Sequence, residues 1–227
     1  MERKSNLFIA TLKALYRSGA LQNLILIGSW CHYFYKIYFK NSTEIPAVRT
    51  LDIDFLIPNP PMIRREVNIP EVLKSLDFIP EHNYTTGHTK YVHPELELEF
   101  LTPELGRGKG SEPYKISKLH INAQGLRYLN ILQAHTIKIK YDDIKICIPE
   151  PAAFVLHKFI VFERRIKKEK MIRDLKAAKE IGEFLLKYKE QSEKLNKIFI
   201  SLPKTWQKRI KNNLIDNSQA LYNLLNK

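Results

Sequence analysis

Only two of the 227 residues are cysteine, Cys31 and Cys147, too few for a disulfide framework, so a reducing cytoplasm is the expected compartment. Long apolar runs are also missing. Leu24–Ile27 and Ala152–Val155 are far too short to cross a bilayer, and no membrane partner is expected. Met1 is followed by Glu2, Arg3, Lys4 and Ser5, with no apolar signal region or cleavage site. There is no internal repeat and no low-complexity linker. Histidines at metal-ligand spacing are absent too, so no zinc site is expected: His88 and His93 have no helical pairing, and the two cysteines lie far apart.

Acidic side chains are in deficit, 24 against 37 Lys and Arg, for a net charge of +13. The deficit is uneven. Residues 1–150 carry 19 basic and 16 acidic side chains, whereas residues 151–227 carry 18 and 8. A basic surplus concentrated in one segment suits a partner with phosphates, because clustered cations bind polyanions by releasing counterions. A solvated, lysine-rich helical surface explains the same numbers.

Apolar spacing predicts a helix over Asn6–Ser18, then a short buried strand at Leu24–Ile27 that turns at Gly28-Ser29. Trp30–Phe39 has helix length. Thr50–Ile57 alternates around two aspartates and stops at Pro58, as a strand does. Pro70–Leu76 suits a short helix with Pro in its first turn. Leu96–Leu101 alternates again, and His135–Tyr141 with Ile144–Ile148 flank Asp142-Asp143 as a hairpin. From Pro151 the pattern becomes helical and basic, over Ala152–Arg165, Arg173–Tyr188 and a weaker stretch from Pro203. The expected fold is α+β, a mixed-sheet core over 1–150 and a basic helical lobe over 151–227, with the active site in the cleft between them.

The chemistry is expected at Leu51-Asp52-Ile53-Asp54-Phe55. Strand residues two apart share a face, with Cα atoms roughly 6.6 Å apart. Asp52 and Asp54 therefore stand side by side, while Leu51, Ile53 and Phe55 bury the other face. Adjacent carboxylates repel unless a cation neutralises them. Mg²⁺ suits them, taking one or two carboxylates plus nucleotide phosphates, with Mn²⁺ as the alternative ion. Two such ions about 3.5–4 Å apart can activate a hydroxyl and stabilise leaving pyrophosphate. Glu97 and Glu99 share one face of their strand, and either supplies a third acid. The Gly28-Ser29 turn into a helix offers a hydroxyl and backbone N–H groups to a triphosphate.

Gly28-Ser29 with Leu51-Asp52-Ile53-Asp54 resembles the signature of nucleotidyltransferases of the DNA polymerase β superfamily. Val48–Asp54, Glu99–Pro103, Pro151-Ala152 with His157-Lys158, and Arg173-Asp174-Leu175 resemble a narrower prokaryotic family related to AbiEii/MenA-type toxins. The likeness runs over roughly Leu24 to Leu185. It implies that Asp52, Asp54 and Glu99 bind metal and that Gly28, Ser29, Arg49 and Asp174 serve the nucleotide. It also implies that Lys158 faces the nucleotide from the helical lobe.

Other motifs carry less. Gly106–Ser111 lacks the spacing of a P-loop and runs into Pro113, though Arg107 and Lys109 have reach to phosphates. His157 and Lys158 diverge by about 100° on a helix, so one faces a cleft, and Lys158 is the better aid to phosphoryl transfer. Seven Lys or Arg between Arg164 and Lys176 suggest a basic helix-turn-helix connection able to grip RNA or DNA. Trp206 among Lys204, Lys208 and Arg209 is a core anchor or a base-stacking surface. The expected reaction is Mg²⁺-dependent transfer of a nucleotidyl group from an NTP to a hydroxyl. RNA, tRNA foremost, is the leading acceptor, with protein and small molecules open. The rival is a non-catalytic nucleic-acid-binding module that keeps the fold.

Overall fold

Two-residue periodicity builds the sheet that positions the acids. The computed structural model describes residues 2–47, 50–104, 112–164 and 167–226, with side chains from Ser5 onward. The strands described are β1 Ile25–Ile27, β2 Asp52–Leu56, β3 Ile79–His82, β4 Thr89–His93, β5 Leu96–Pro103, β6 Tyr114–Ile116, β7 Ile121–Leu126, β8 Thr136–Tyr141 and β9 Ile144–Pro149. The helices are α1 Glu2–Arg17, α2 Cys31–Tyr38, α3 Ile69–Lys74, α4 Asn130–Ala134, α5 Pro151–Val161, α6 Lys168–Leu186, α7 Lys189–Ser201, α8 Lys204–Ile215 and α9 Gln219–Leu225. The chain is α+β, and it forms two compact units: residues 1–31 with 48–149, and residues 32–47 with 150–227. A division at residue 150 alone leaves α2 with the first unit, whereas the structure groups it with the second.

In the first unit the main sheet runs β1-β2-β5-β4-β3, with β7 on the end of β5 and β6 beyond it. β2 and β5 are parallel, as are β5 and β7, while the remaining pairs are antiparallel, so the sheet is mixed. One edge of β5 is shared: β4 pairs with Leu96–Leu98 and β7 with Leu101–Pro103. The sheet therefore forks into two ribbons, tied by Asn122, which donates to Gly87 O and Thr89 Oγ1. On one face, Phe55 stacks on Phe100, and Tyr91 meets Phe100 edge-on. The other face is apolar only at one end, where Ile25, Ile27, Leu56 and Leu101 pack with Leu129 and Leu132. β8 and β9 pair as a separate hairpin, as expected around Asp142-Asp143.

In the second unit α5 is the central helix. Pro151 through Ile160 are all buried, and α5 packs on α6, α7 and α8. Phe154 on α5 meets Tyr35 of α2 edge-on, and Phe39 packs on Phe184 of α6. α6 starts at Lys168, five residues before the expected Arg173, so much of the basic stretch is helix rather than connection. Lys168, Glu169, Lys170 and Met171 are good helix formers, which explains the earlier start. Trp206 is half-buried on α8. Among the described residues no helix is long and apolar enough to cross a membrane.

Candidate active site

The acids rise from the middle of the sheet. β1 is buried throughout, and its antiparallel register sets Ile27 opposite Asp54. The parallel register of β2 and β5 sets Asp52 beside Glu97 and Asp54 beside Glu99. Registered partners share a face, so four carboxylates form two rows, beside Leu56 and Leu101 on that same face. Ile53 and Phe55 are fully buried on the other face, as the alternation demands. Leu51 departs from that expectation at 39% exposed: it precedes β2, although its carbonyl still accepts from Glu97 N of β5. Thr50 holds the start of the strand: its Oγ1 accepts from Asp52 N at 3.2 Å and donates to Asp52 Oδ2 at 3.3 Å.

Gly28 abuts this array. Its φ of +75° is left-handed, and a Cβ there would lie 2.5 Å from Asp54 Oδ2. Glycine is thus required twice, by conformation and by the approach of the carboxylate. The 3-10 turn Gly28–Trp30, carrying half-buried Ser29, follows directly. Gly28→Ala is expected to cost about 1–3 kcal/mol of stability, read as a lower urea midpoint. An alanine variant as stable as the parent would refute the close approach.

Glu99 is engaged by the neighbouring strand. Lys90 Nζ on β4 lies 2.8 Å from Glu99 Oε1 and 3.1 Å from Glu97 Oε2. His88 Nε2 stands 3.8 Å from Glu99 Oε2, beyond hydrogen-bond length, and pairs with it only when protonated. Burial, the largest influence on Glu99, pushes its carboxyl up, but His88 and Lys90 together outweigh it and hold the group down at about 2. Burial likewise works to lower Lys90, and the two glutamates reverse it, raising the ammonium. Because the folded value of Glu99 lies below its ordinary 4.5, its stabilising contribution is complete above pH 4.5 and disappears as pH falls towards 2. Over that window the parent should lose on the order of 1–2 kcal/mol relative to Glu99→Gln, after allowing for solvent screening at half-exposed Lys90. Urea unfolding at a series of pH values measures it, and parallel profiles would contradict the pairing.

Among the described residues no three His, Cys, Asp or Glu side chains come together so as to hold a metal ion. Two carboxylates suffice for Mg²⁺ when phosphates and water complete its shell. Asp52 and Asp54, sharing a face beside a turn whose glycine leaves room for the carboxylate, fit that demand. Glu99, the third acid of the expectation, lies in the same array, but its oxygens face Lys90 and His88.

Lys158 and Asp174 belong to the second unit, where they form a buried ion pair with each other. Lys158 also lies 5.4 Å from the centroid of the Phe154 ring, which His32 meets edge-on. Burial first, then the charges of Lys158 and Lys36, push His32 down to about 3, while Asp174 acts in the opposite sense. Arg49, and Arg107 and Lys109 of the glycine-rich segment, lie outside the described residues. The expected residues that the structure brings together are Gly28, Asp52, Asp54 and Glu99. Sequence reasoning missed Lys90 and His88; β4 puts Lys90 and Val92 on one face because strand residues two apart share a face. A groove of about 830 Å³, lined in part by His82, Thr89, Tyr91 and His120, opens elsewhere in this unit. Thr89 and Tyr91 alternate with Lys90, so that groove lies on the face away from the carboxylates.

Comparison with solved structures finds a likeness in fold to an antigenic nucleotidyltransferase-like protein from Paracoccidioides brasiliensis. The TM-score is 0.52 at 13% identity, over 97% of this chain and 91% of that one. A comparison with curated proteins gives no match. A family model described as nucleotidyltransferase matches residues 6–198, most of the length, and the chain accordingly belongs to that nucleotidyltransferase family.

Proposed function

We propose that this protein transfers a nucleotidyl group from an NTP to a hydroxyl acceptor, with Mg²⁺ or Mn²⁺ held by Asp52 and Asp54. The observation that carries this reading is the register of Asp54 opposite Ile27, with its carboxylate against Gly28 at the mouth of the Gly28-Ser29 turn. An acidic pair suits a divalent cation, and a turn rich in N–H groups suits the triphosphate that shares it. When bound, the metal neutralises phosphate charge and eases departure of pyrophosphate. Ser29 and the turn orient the triphosphate, Arg49 serves the same group, and Glu99 belongs to the acidic face next to the metal. Lys158 enters together with Asp174, and the two are expected to act as a unit.

The basic surplus of residues 151–227 favours RNA as acceptor, tRNA foremost. It equally favours a second reading, a nucleic-acid-binding module without catalysis. Incubating the protein with Mg²⁺, each α-labelled NTP and total cellular RNA plus soluble protein separates them. Label on one acceptor class, lost in Asp54→Asn, supports transfer. Absence of both labelling and nucleotide binding supports the binding module. Kinship with AbiEii/MenA-type toxins and action in the cytoplasm are part of the same proposal. Arrest of growth on expression, relieved by Asp54→Asn, is the matching cellular result.

A further inference from the structure

The acidic face holds more carboxylate than one divalent cation needs. Neighbouring strands lie about 4.8 Å apart, so the rows Asp52–Glu97 and Asp54–Glu99 place four like charges within mutual reach. Such an array stays fully ionised only if cations offset it. For the β5 row the chain provides its own cation, since Lys90 Nζ reaches both Glu97 and Glu99 at hydrogen-bond length. The 2.8 Å contact with Glu99 has the length of a charge-assisted pair. Glu99 is the more shielded partner, its side chain 21% exposed against 39% for Lys90. His88, 8% exposed and with neither ring nitrogen hydrogen-bonded, backs the other oxygen of Glu99.

We propose that Lys90 stands where a second divalent cation would otherwise sit, so that this active site takes a single metal ion. The inference rests on the reading that Asp52 and Asp54 bind metal. Glu97 and Glu99 then stay with the ammonium, and the metal is confined to the β2 pair. Geometry supports the division: a divalent ion at the β5 row would need oxygen ligands at about 2.0–2.1 Å in octahedral array. Lys90 already occupies the space between the two glutamates, donating to Glu97 Oε2 and ion-paired with Glu99 Oε1. An ammonium held in place contributes one fixed positive charge whatever the metal concentration. The charge that a second ion would bring and take away is here part of the fold.

Counting bound metal tests the proposal without relying on turnover. The full chain is passed through equilibrium gel filtration in buffer containing Mn²⁺ and a mixture of the four α,β-methylene nucleoside triphosphates. Protein-bound Mn²⁺ is then measured by electron paramagnetic resonance after acid release. One Mn²⁺ per chain is expected for the parent and for Lys90→Arg, rising towards two in Lys90→Met, where the glutamate pair is released. Two in the parent would overturn the single-metal site while leaving metal binding by Asp52 and Asp54 intact. None in the parent would overturn both. A folded Lys90→Met that stays at one would show that the lysine excludes nothing. Should Lys90→Met fail to fold, the parent's own count decides.

Discussion

Asp54→Asn is expected to abolish nucleotidyl transfer, on the order of 10³-fold or more, and to leave the fold in place. Asparagine keeps the size of the side chain and one oxygen, so the packing of Asp54 beside Ile27 and Gly28 survives. What disappears is the negative charge that pairs with Asp52 to hold a cation. Removing one of several crowded like charges relieves repulsion, so the melting temperature should stay level or rise. Two measurements are needed, transfer of α-label and a thermal melt by circular dichroism. A folded variant that still transfers label would sink the assignment. If the variant melts far below the parent, Asp52→Asn serves in its place, since it stands at the start of β2.

Asp174→Asn is expected to produce the largest loss of stability, about 3–5 kcal/mol, or roughly 10 °C in melting temperature for a chain of this length. Lys158 and Asp174 are both largely buried, with side chains 7% and 12% exposed. Removing one partner leaves the other charge desolvated and uncompensated. The double change Lys158→Met with Asp174→Leu should recover most of the loss, because a matched apolar pair carries no such charge. A single variant melting within a few degrees of the parent would contradict the buried pair. The stable double variant also separates structure from catalysis. If it transfers label as the parent does, Lys158 has no role at the nucleotide.

Much of the architecture was legible because its period was clean. Ile53 and Phe55 against Asp52 and Asp54 gave β2, and Leu96–Leu101 gave β5 with its acids on one face. Pro70 lies in the first turn of α3, as expected, and the helix starts at Ile69, where the Asn68 side chain accepts from Glu71 N. β3 was hidden because all four of its residues are exposed, which leaves no alternation to read. β4 was hidden because Tyr91 and Val92, its two apolar residues, are adjacent and leave no alternation to read, and with it went Lys90. The grouping of Lys90 with Glu97 and Glu99 depends on antiparallel register between β4 and β5, a tertiary fact. For the same reason sequence could name Glu99 as a third acid without revealing that a lysine already holds it. Lys158 and Asp174 were each read alone, since nothing in local spacing tells that residues on α5 and α6 meet.

The alternation of β2 also limits how this site can change over time. A slip of one residue against β5 would carry both aspartates to the face now filled by Ile53 and Phe55. Two carboxylates would enter the core and two large apolar side chains would leave it, a combination costing many kcal/mol. Either aspartate can be replaced singly, and activity lost, while the strand keeps its place. Moving the pair along the strand is closed to it, because the packing of the hidden face would have to move too. Descent can therefore silence this site in one step, whereas a one-residue shift of register is closed to it, and the acids are held on their face by the residues on the far side of the sheet.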